Sequence, residues 1–306
     1  MQTGCMRKHR KLQWGIHQRE ALFGYALITP MLIGYAIFVI LPLAMLFWFS
    51  LTNYSLFGTA RFVGLQNYMQ MFVTDSTFKA SAVNTLYFTV LLVPFNVVIT
   101  LALALMMYRN FKGVGLFRTI LFTPYVTSMV AWSIVWKYMF QTDNGVINAV
   151  LVALGRQSVN WLYSEAAAIP IAVVVTLLKG LGMNTVIFIS ALKDVPEMYY
   201  EASRLDGASP WKRFTKITLP MISQALFLVL ILTIIGSFKI FGQIYVMSKG
   251  GPATSSYVFV YYIYTLAFRT YKFGYASAVS VVLFLIILVL TAIQWYGKKK
   301  WVYYEN

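Results

Sequence analysis

Long stretches without a single charge alternate along this chain with short polar ones. The uncharged runs are Ala21 to Ala60, Ala80 to Tyr108, Thr119 to Trp136, Ala166 to Leu178, Gly180 to Leu192, Ile217 to Phe238 and Phe273 to Gly297. A helix needs about 20 apolar residues to cross the hydrocarbon of a bilayer. The pattern therefore predicts six spans, roughly 22–50, 83–108, 119–140, 168–191, 221–246 and 273–296, the fourth and fifth continuing past the single lysines Lys179 and Lys239.

The punctuation between the runs fits that reading. Asn53-Tyr54-Ser55 and Phe62 to Tyr68 form a loop with room for a short interfacial helix, and Thr142 to Gly145 is a turn. Gly250-Gly251-Pro252 breaks the chain beyond the fifth span, and Pro30, Pro42, Pro94 and Pro124 are placed to kink helices. Trp132, Trp136, Trp161 and Trp295 fall near predicted membrane interfaces, where amphipathic rings settle. Gly274 and Ala278, four apart, permit close helix packing.

Composition sharpens the class. With 59% hydrophobic and 11% charged residues, the chain is too apolar for an ordinary soluble domain. Its net charge of +16 is unevenly placed. Sixteen cations fall in the N-terminal tail, the 109–118 loop, the 193–220 loop and the C-terminus, against six in the alternate loops. The positive-inside rule puts the first set, and both termini, in the cytoplasm. The basic charge is thus topology and not a nucleic-acid footprint. The predicted organisation is a basic tail over 1–21, a membrane domain over 22–296 and a cytoplasmic tail over 297–306. No cleavable signal is expected, because the first apolar run is too long for one. The sole cysteine, Cys5, allows no internal disulfide, and no apolar run precedes it as a lipidation site would need.

The loop at 193–220 stands apart. It holds four of the nine carboxylates, Asp194, Glu197, Glu201 and Asp206. Its spacing predicts one short helix after Pro196 running to about Leu205, with Glu197, Glu201 and Leu205 on one face. Asp206-Gly207 ends it, since glycine adopts the positive φ of a tight reversal. Ser209 then caps a second helix with Pro210 at its first position. A bent rigid element of this kind can slot into a partner's cleft; a solvated loop with ordinary charges is the plainer alternative.

Glu201-Ala202-Ser203, three residues, Gly207, nine residues, then Ile217-x-Leu219-Pro220 resembles the EAA motif of binding-protein-dependent ABC transporter permeases, with Ser203 where the motif's second alanine stands. The resemblance spans most of the chain. Phe62 to Tyr68, Asn84-Thr85, Phe122-x-Pro124-Tyr125, Asn160-Trp161-Leu162, Ser237 to Phe241, Gly250-Gly251-Pro252 and Tyr261 to Tyr264 are similar to carbohydrate permeases of the maltose and glycerol-phosphate type, first permease subunit. It implies an all-α fold of six transmembrane helices, the type I ABC importer permease fold, in a prokaryotic inner membrane. It implies a heterodimer with a second homologous permease, two ATP-binding subunits that hydrolyse the ATP, and an extracytoplasmic solute-binding protein that delivers a sugar. Glu201, Ala202, Ser203, Asp206, Gly207 and Ala208 are implied as the ATPase-coupling surface. By the same resemblance, Tyr125, Met129, Thr176, Lys179, Gly180, Thr233, Ser237 and Ile240 line the substrate pathway. Met129, Thr176, Lys179 and Ile240 depart from the sugar-friendly types of the maltose permease, which implies a different solute or weak binding.

The residues also limit the alternatives. No carboxylate lies inside a predicted span, which disfavours a proton- or sodium-coupled carrier. No GxxxxGK[ST] loop exists, so the chain carries no ATP site and no cofactor of its own is expected. The only histidines, His9 and His17, lie in the tail, and the spans offer no His, Cys or carboxylate set for a metal or an intramembrane enzyme. Lys179 and Lys239 can meet a sugar hydroxyl, an anionic group or merely neighbouring helices. The remaining alternatives are an importer of a non-sugar solute such as a glycerol phosphate, or a channel or structural subunit without an ATPase. The topology is checked with an impermeant thiol reagent in a Cys5→Ser background. Ala208→Cys should react only after the membrane is opened, and Thr142→Cys in intact cells.

Overall fold

The computed structural model describes residues 16–303 apart from Phe57 and Asn110. Most of the predicted basic tail, with Cys5 and His9, lies outside the described residues. The chain divides into two compact units, Met1–Trp48 and Phe49–Asn306.

The first unit is helical. It comprises α1 (Ile16–Tyr35), a five-residue π turn (Ala36–Ile40) and the start of α2 (Leu41–Ser50), whose last two residues belong to the second unit. The π turn has a local cause. Proline lacks an N–H and its ring crowds the carbonyl four residues back. A π turn widens the helix there, and Leu41 N–H reaches Ala36 O one residue before Pro42. The same device recurs before Pro220, where the π turn Phe214–Thr218 ends with Leu219 N–H on Phe214 O.

The second unit continues with α3 (Gln66–Val73), α4 (Ser76–Met107), α5 (Val114–Val126), α6 (Met129–Met139), α7 (Val146–Ala153) and α8 (Ala168–Lys193). After these come α9 (Glu197–Leu205), α10 (Pro210–Arg213), α11 (Leu219–Met221), α12 (Ser223–Phe238), α13 (Gly242–Met247), α14 (Phe259–Tyr264) and α15 (Phe273–Lys298). The described residues contain no β-strand, only an isolated bridge between Thr52 and Phe62. Five helices are long and apolar enough to span a membrane, and α5 with α6, bent by 102°, makes a sixth if counted as one span. The predicted third span is thus broken in its middle. The second begins at Ser76, seven residues before the expected start, because Asp75 caps it by accepting from Phe78 N–H at 2.9 Å.

Helix α4 is the spine of the second unit and packs along α8 and α12. Lipid tails are as apolar as leucine, so close packing and hydrogen bonds must hold such helices together. Both are visible. Thr85, Thr89 and Thr100 return their hydroxyls to carbonyls four residues back, leaving an apolar surface for packing. Thr89 also meets Ser237 on α12 at 2.8 Å, and Asn184 on α8 donates to Asn96 on α4 at 2.8 Å. Two glycines mark backbone contact. A Cβ on Gly182 would lie 2.3 Å from Leu121 O, and one on Gly274 would lie 2.1 Å from Thr52 O. Gly274 and the fully buried Ala278 thus serve packing, as their spacing suggested.

Asparagines order the loops. Asn67 donates to Ser50 O and Thr52 O, Asn84 to Thr254 O and Tyr257 O, and Asn148 to Thr142 O and Val159 O. Trp161 donates in turn to Asn148 Oδ1. Trp132, Trp136 and Trp161, three of the tryptophans expected at a membrane interface, pack around Phe140, Val175 and Met247. Trp295 remains exposed. The C-terminal residues fold back onto α12, Tyr303 N–H donating to Ser223 Oγ at 2.8 Å.

Asp75 also joins three elements. Its Oδ2 accepts from Tyr262 on α14 and Tyr275 on α15, each at 2.5 Å. Burial alone would raise this carboxyl, but the two phenols and the Phe78 and Thr77 amides more than offset it and hold it below the usual carboxylate range. A depressed folded pKa stabilises above the unfolded value and is lost as pH falls through the folded one. Asp75→Ala should cost about 1–3 kcal/mol. In thermal unfolding of the detergent-held chain, the gap from wild type should stay constant above about pH 5 and shrink below about pH 4.

Candidate functional site

The two broken spans meet. Helix α5 ends at Val126 and α6 restarts at Met129; α12 ends at Phe238 and α13 restarts at Gly242. Helix α13 packs on α6, so closely that a Cβ on Gly242 would lie 2.9 Å from Met129 Cγ.

Beside this junction is a cavity of about 450 Å³. Seven of the eight predicted pathway positions line it: Tyr125, Met129, Thr176, Gly180, Thr233, Ser237 and Ile240. They come from α5, α6, α8, α12 and the α12–α13 junction, 115 positions from first to last. The eighth, Lys179, is turned elsewhere. Its ammonium donates to Pro124 O at 2.7 Å, Thr127 O at 2.6 Å and Tyr125 O at 3.4 Å. A helix leaves its last carbonyls without partners, and this lysine satisfies those at the end of α5.

The wall also holds polar groups outside the predicted set. Asn96 and Asn184 stand there as a bonded pair, and Gln243 donates to Thr176 Oγ1 at 3.1 Å. A Cβ on Gly180 would touch Asn96 Nδ2 at 3.7 Å, so the glycine keeps that amide uncovered. Asparagine and glutamine inside apolar helices are themselves a signal of this kind, since an amide in lipid needs a partner. Lys239 follows the last residue of α12 and lines the same cavity. Among the described residues no carboxylate does. Amide, hydroxyl and phenol groups of this sort donate to and accept from an uncharged polyhydroxylated solute without demanding a proton. Among the described residues no cluster of three or more His, Cys, Asp or Glu could hold a metal.

A second feature lies at the α9–α10 corner, which forms where the sequence places it. Helix α9 spans Glu197–Leu205, and Ser209 Oγ accepts from Lys212 N–H at 3.3 Å to cap α10. Gly207 has φ +70°, and Ala208 N–H closes the reversal on Ser203 O at 2.9 Å. Glu201, Ala202, Asp206 and Gly207 are exposed and Ala208 is half-buried. Ser203 is buried, with Oγ donating to Tyr200 O at 2.8 Å, so it supports the corner from within. Tyr200 and Thr218 pair their hydroxyls at 2.9 Å, tying α9 to the π turn before α11. Three large apolar residues stand out into solvent here: Leu205 at 90%, Trp211 at 72% and Met198 at 67% exposure. Exposed apolar groups beside carboxylates mark a protein-docking surface. Met198 and Trp211 escaped the motif-based set, though a lone tryptophan in a polar loop was visible in the sequence.

Apolar spans that break where they face each other, beside a cavity with a polar wall, define a solute-translocating membrane protein. Residues 96–301 match the family described as binding-protein-dependent transport system inner membrane component, and the chain belongs to that family. It is a multi-pass membrane protein and a transport component. It is 32% identical over 306 residues to the probable ABC transporter permease protein YesP of Bacillus subtilis (strain 168), covering 99% of this chain and 97% of the relative. It is 34% identical over 281 residues to the trehalose/maltose transport system permease protein MalF of Thermococcus litoralis, covering 90% and 93%. Its fold matches a chain of a bacterial ABC transporter that imports the acidic polysaccharide alginate, with a TM-score of 0.82, 23% identity and coverage of 92% and 96%.

Lys179→Met should strip the Thr127 and Tyr125 carbonyls of their lysine partner, leaving Pro124 O to the Thr127 hydroxyl, and cost about 1–3 kcal/mol. Gly182→Val should prevent folding, because the colliding atom is backbone. Detergent-held thermal unfolding and size-exclusion profiles of the two variants check both outcomes.

Proposed function

We propose that this chain is one of two permeases of an ATP-driven importer that moves a di- or oligosaccharide into the cytoplasm by alternating access. The observation that carries the sugar reading is the cavity beside the broken spans, whose largely apolar wall is set with neutral amides and hydroxyls from Asn96, Thr176, Asn184, Ser237 and Gln243. Its volume of about 450 Å³ falls within the range of small-ligand sites, about 300–1,000 Å³. The sugar named for the Thermococcus relative supports the same class of solute.

A second homologous permease covers the open side of the cavity, and an extracytoplasmic binding protein delivers the solute. Two ATP-binding subunits grip the α9–α10 corners. Their closure pushes a rigid element: Gly207 sets its bend, Ser209 caps its second helix, and the Tyr200–Thr218 bond ties it to the chain leading into α12. That push rocks the broken spans between inward-open and outward-open states. Glu201, Asp206 and Leu205 form the contact surface, and both termini lie on the ATPase side.

A mild-detergent pull-down of the tagged chain should bring down a second permease and an ATP-binding subunit. Recovery of the chain alone, or of copies of itself, would overturn the reading. Gly207→Leu adds about 1–2 kcal/mol of left-handed backbone strain, while its Cβ meets no atom within 4 Å. It should insert normally, lose ATPase capture at least tenfold and abolish uptake.

A further inference from the structure

The α9–α10 corner hangs from the long helices by two roots. It leaves α8 at Asp194 and Val195, and it reaches α12 through α11 and Ile222. Val195 and Ile222 share one buried apolar cluster, so the roots are held side by side. The outgoing root is irregular. Its backbone passes from the π turn Phe214–Thr218 to the three residues of α11 and then to Ile222, at φ −88° and ψ 8°. Helices bend where their hydrogen-bond pattern changes, and such breaks mark hinges. An unbraced hinge here would absorb a push on the corner before α12 felt it.

The C-terminal strap lies across that joint. After α15 the chain turns back, with Val302 N–H returning to Lys298 O at 2.9 Å and the Val302 side chain buried. Tyr303 then places both of its backbone groups on the first turn of α12. Its N–H donates to Ser223 Oγ at 2.8 Å, and its carbonyl accepts from Gln224 Nε2 at 3.2 Å. A donor and an acceptor of one residue, matched by two consecutive side chains, fix the strap lengthwise as apolar contact alone would not. One turn further on, the Phe227 ring lies 6.0 Å from that of Trp301 and 6.4 Å from that of Trp295. The Lys298 ammonium sits 3.5 Å over the Trp295 ring. Tyr303 also lines a cleft of about 230 Å³ with Asp194, Val195, Met221 and Ile222, where both roots of the corner come together.

We propose that the strap, residues 299–303, is a positioning element for coupling. It pins the joint between the corner and α12 to the end of α15, so that corner, α12 and α15 move as one body when the ATP-binding subunits close. Ser223 and Gln224 are the positioning residues that seat it. The proposal rests on the importer reading and adds to it a part outside the 193–220 loop.

The test is hydrogen exchange, read by mass spectrometry on the complete complex captured through the tagged chain and held in lipid nanodiscs. Amides at 222–228 report the joint, without nucleotide and with ATP and vanadate trapped. In wild type they should exchange equally slowly in both states. Ser223→Ala combined with Gln224→Leu, Tyr303→Pro, and deletion of 301–306 each cut the strap. Each should speed these amides at least tenfold, about 1.4 kcal/mol of local protection, and speed them further with nucleotide trapped. Tyr303→Phe should match wild type, because the backbone makes the bonds. Unchanged exchange in the cut variants overturns the proposal. A rise that is the same with and without trapped nucleotide overturns the role in coupling and leaves a stability contact. Equal acceleration along α4, away from the joint, makes the strap a general stabiliser and overturns it too. A captured chain with no ATP-binding subunit overturns the importer reading, while exchange without nucleotide still decides whether the strap holds the joint.

Discussion

A chain in lipid cannot leave a peptide group unpaired, and a span that breaks creates several such groups at once. The rest of this structure depends on how the α5–α6 break is settled. Lys179, reaching across from α8, takes the carbonyls at Pro124, Tyr125 and Thr127. With those satisfied, the chain turns by 102° between α5 and α6. The turn brings Met129 against Gly242 at the second break and leaves a cavity beside them. A continuous third span would fill that space with apolar side chains.

Packing between backbones makes the junction rigid enough to matter. Gly182 lets α8 approach α5 at Leu121, and Gly242 admits Met129. Asn96 and Asn184 hold α4 to α8 on the far wall, and Thr89 with Ser237 holds α4 to α12. Each such bond in a bilayer contributes on the order of 0.6 kcal/mol, so no single one holds the bundle. Together with close contact they place neutral hydrogen-bonding groups at fixed positions around a solute-sized space. At the other functional end, the α9–α10 corner is braced through Tyr200 and Thr218 to the chain that becomes α12.

Much of this was legible in the chain. The apolar runs located the spans, and the limits of α9 were readable from Pro196 and Asp206-Gly207 because caps and reversals are local. The motif spacing placed the corner on a loop, and the structure shapes it as expected. Seven of the eight positions that the resemblance assigned to the pathway line one cavity. What escaped were groups whose role depends on distant partners. Trp132 and Trp161 hold distant partners that position alone does not show, Trp132 Nε1 a carbonyl of α8 and Trp161 Nε1 the Asn148 amide oxygen. Asp75 reads as a loop residue until Tyr262 and Tyr275, almost two hundred positions away, converge on it.

The sequence by itself determined what periodicity and local chemistry determine: apolar length, charge asymmetry, helix caps, and the glycine at a positive φ. These need only neighbours a few residues away. Only the tertiary structure decided that the third span breaks, that Lys179 caps it from α8, and that Lys239 lines the cavity without a described partner. Both lysines interrupt apolar runs of sequence in the same way, and nothing local distinguishes them. The difference is made by which unpaired carbonyls lie within reach, and that is a property of how the helices cross.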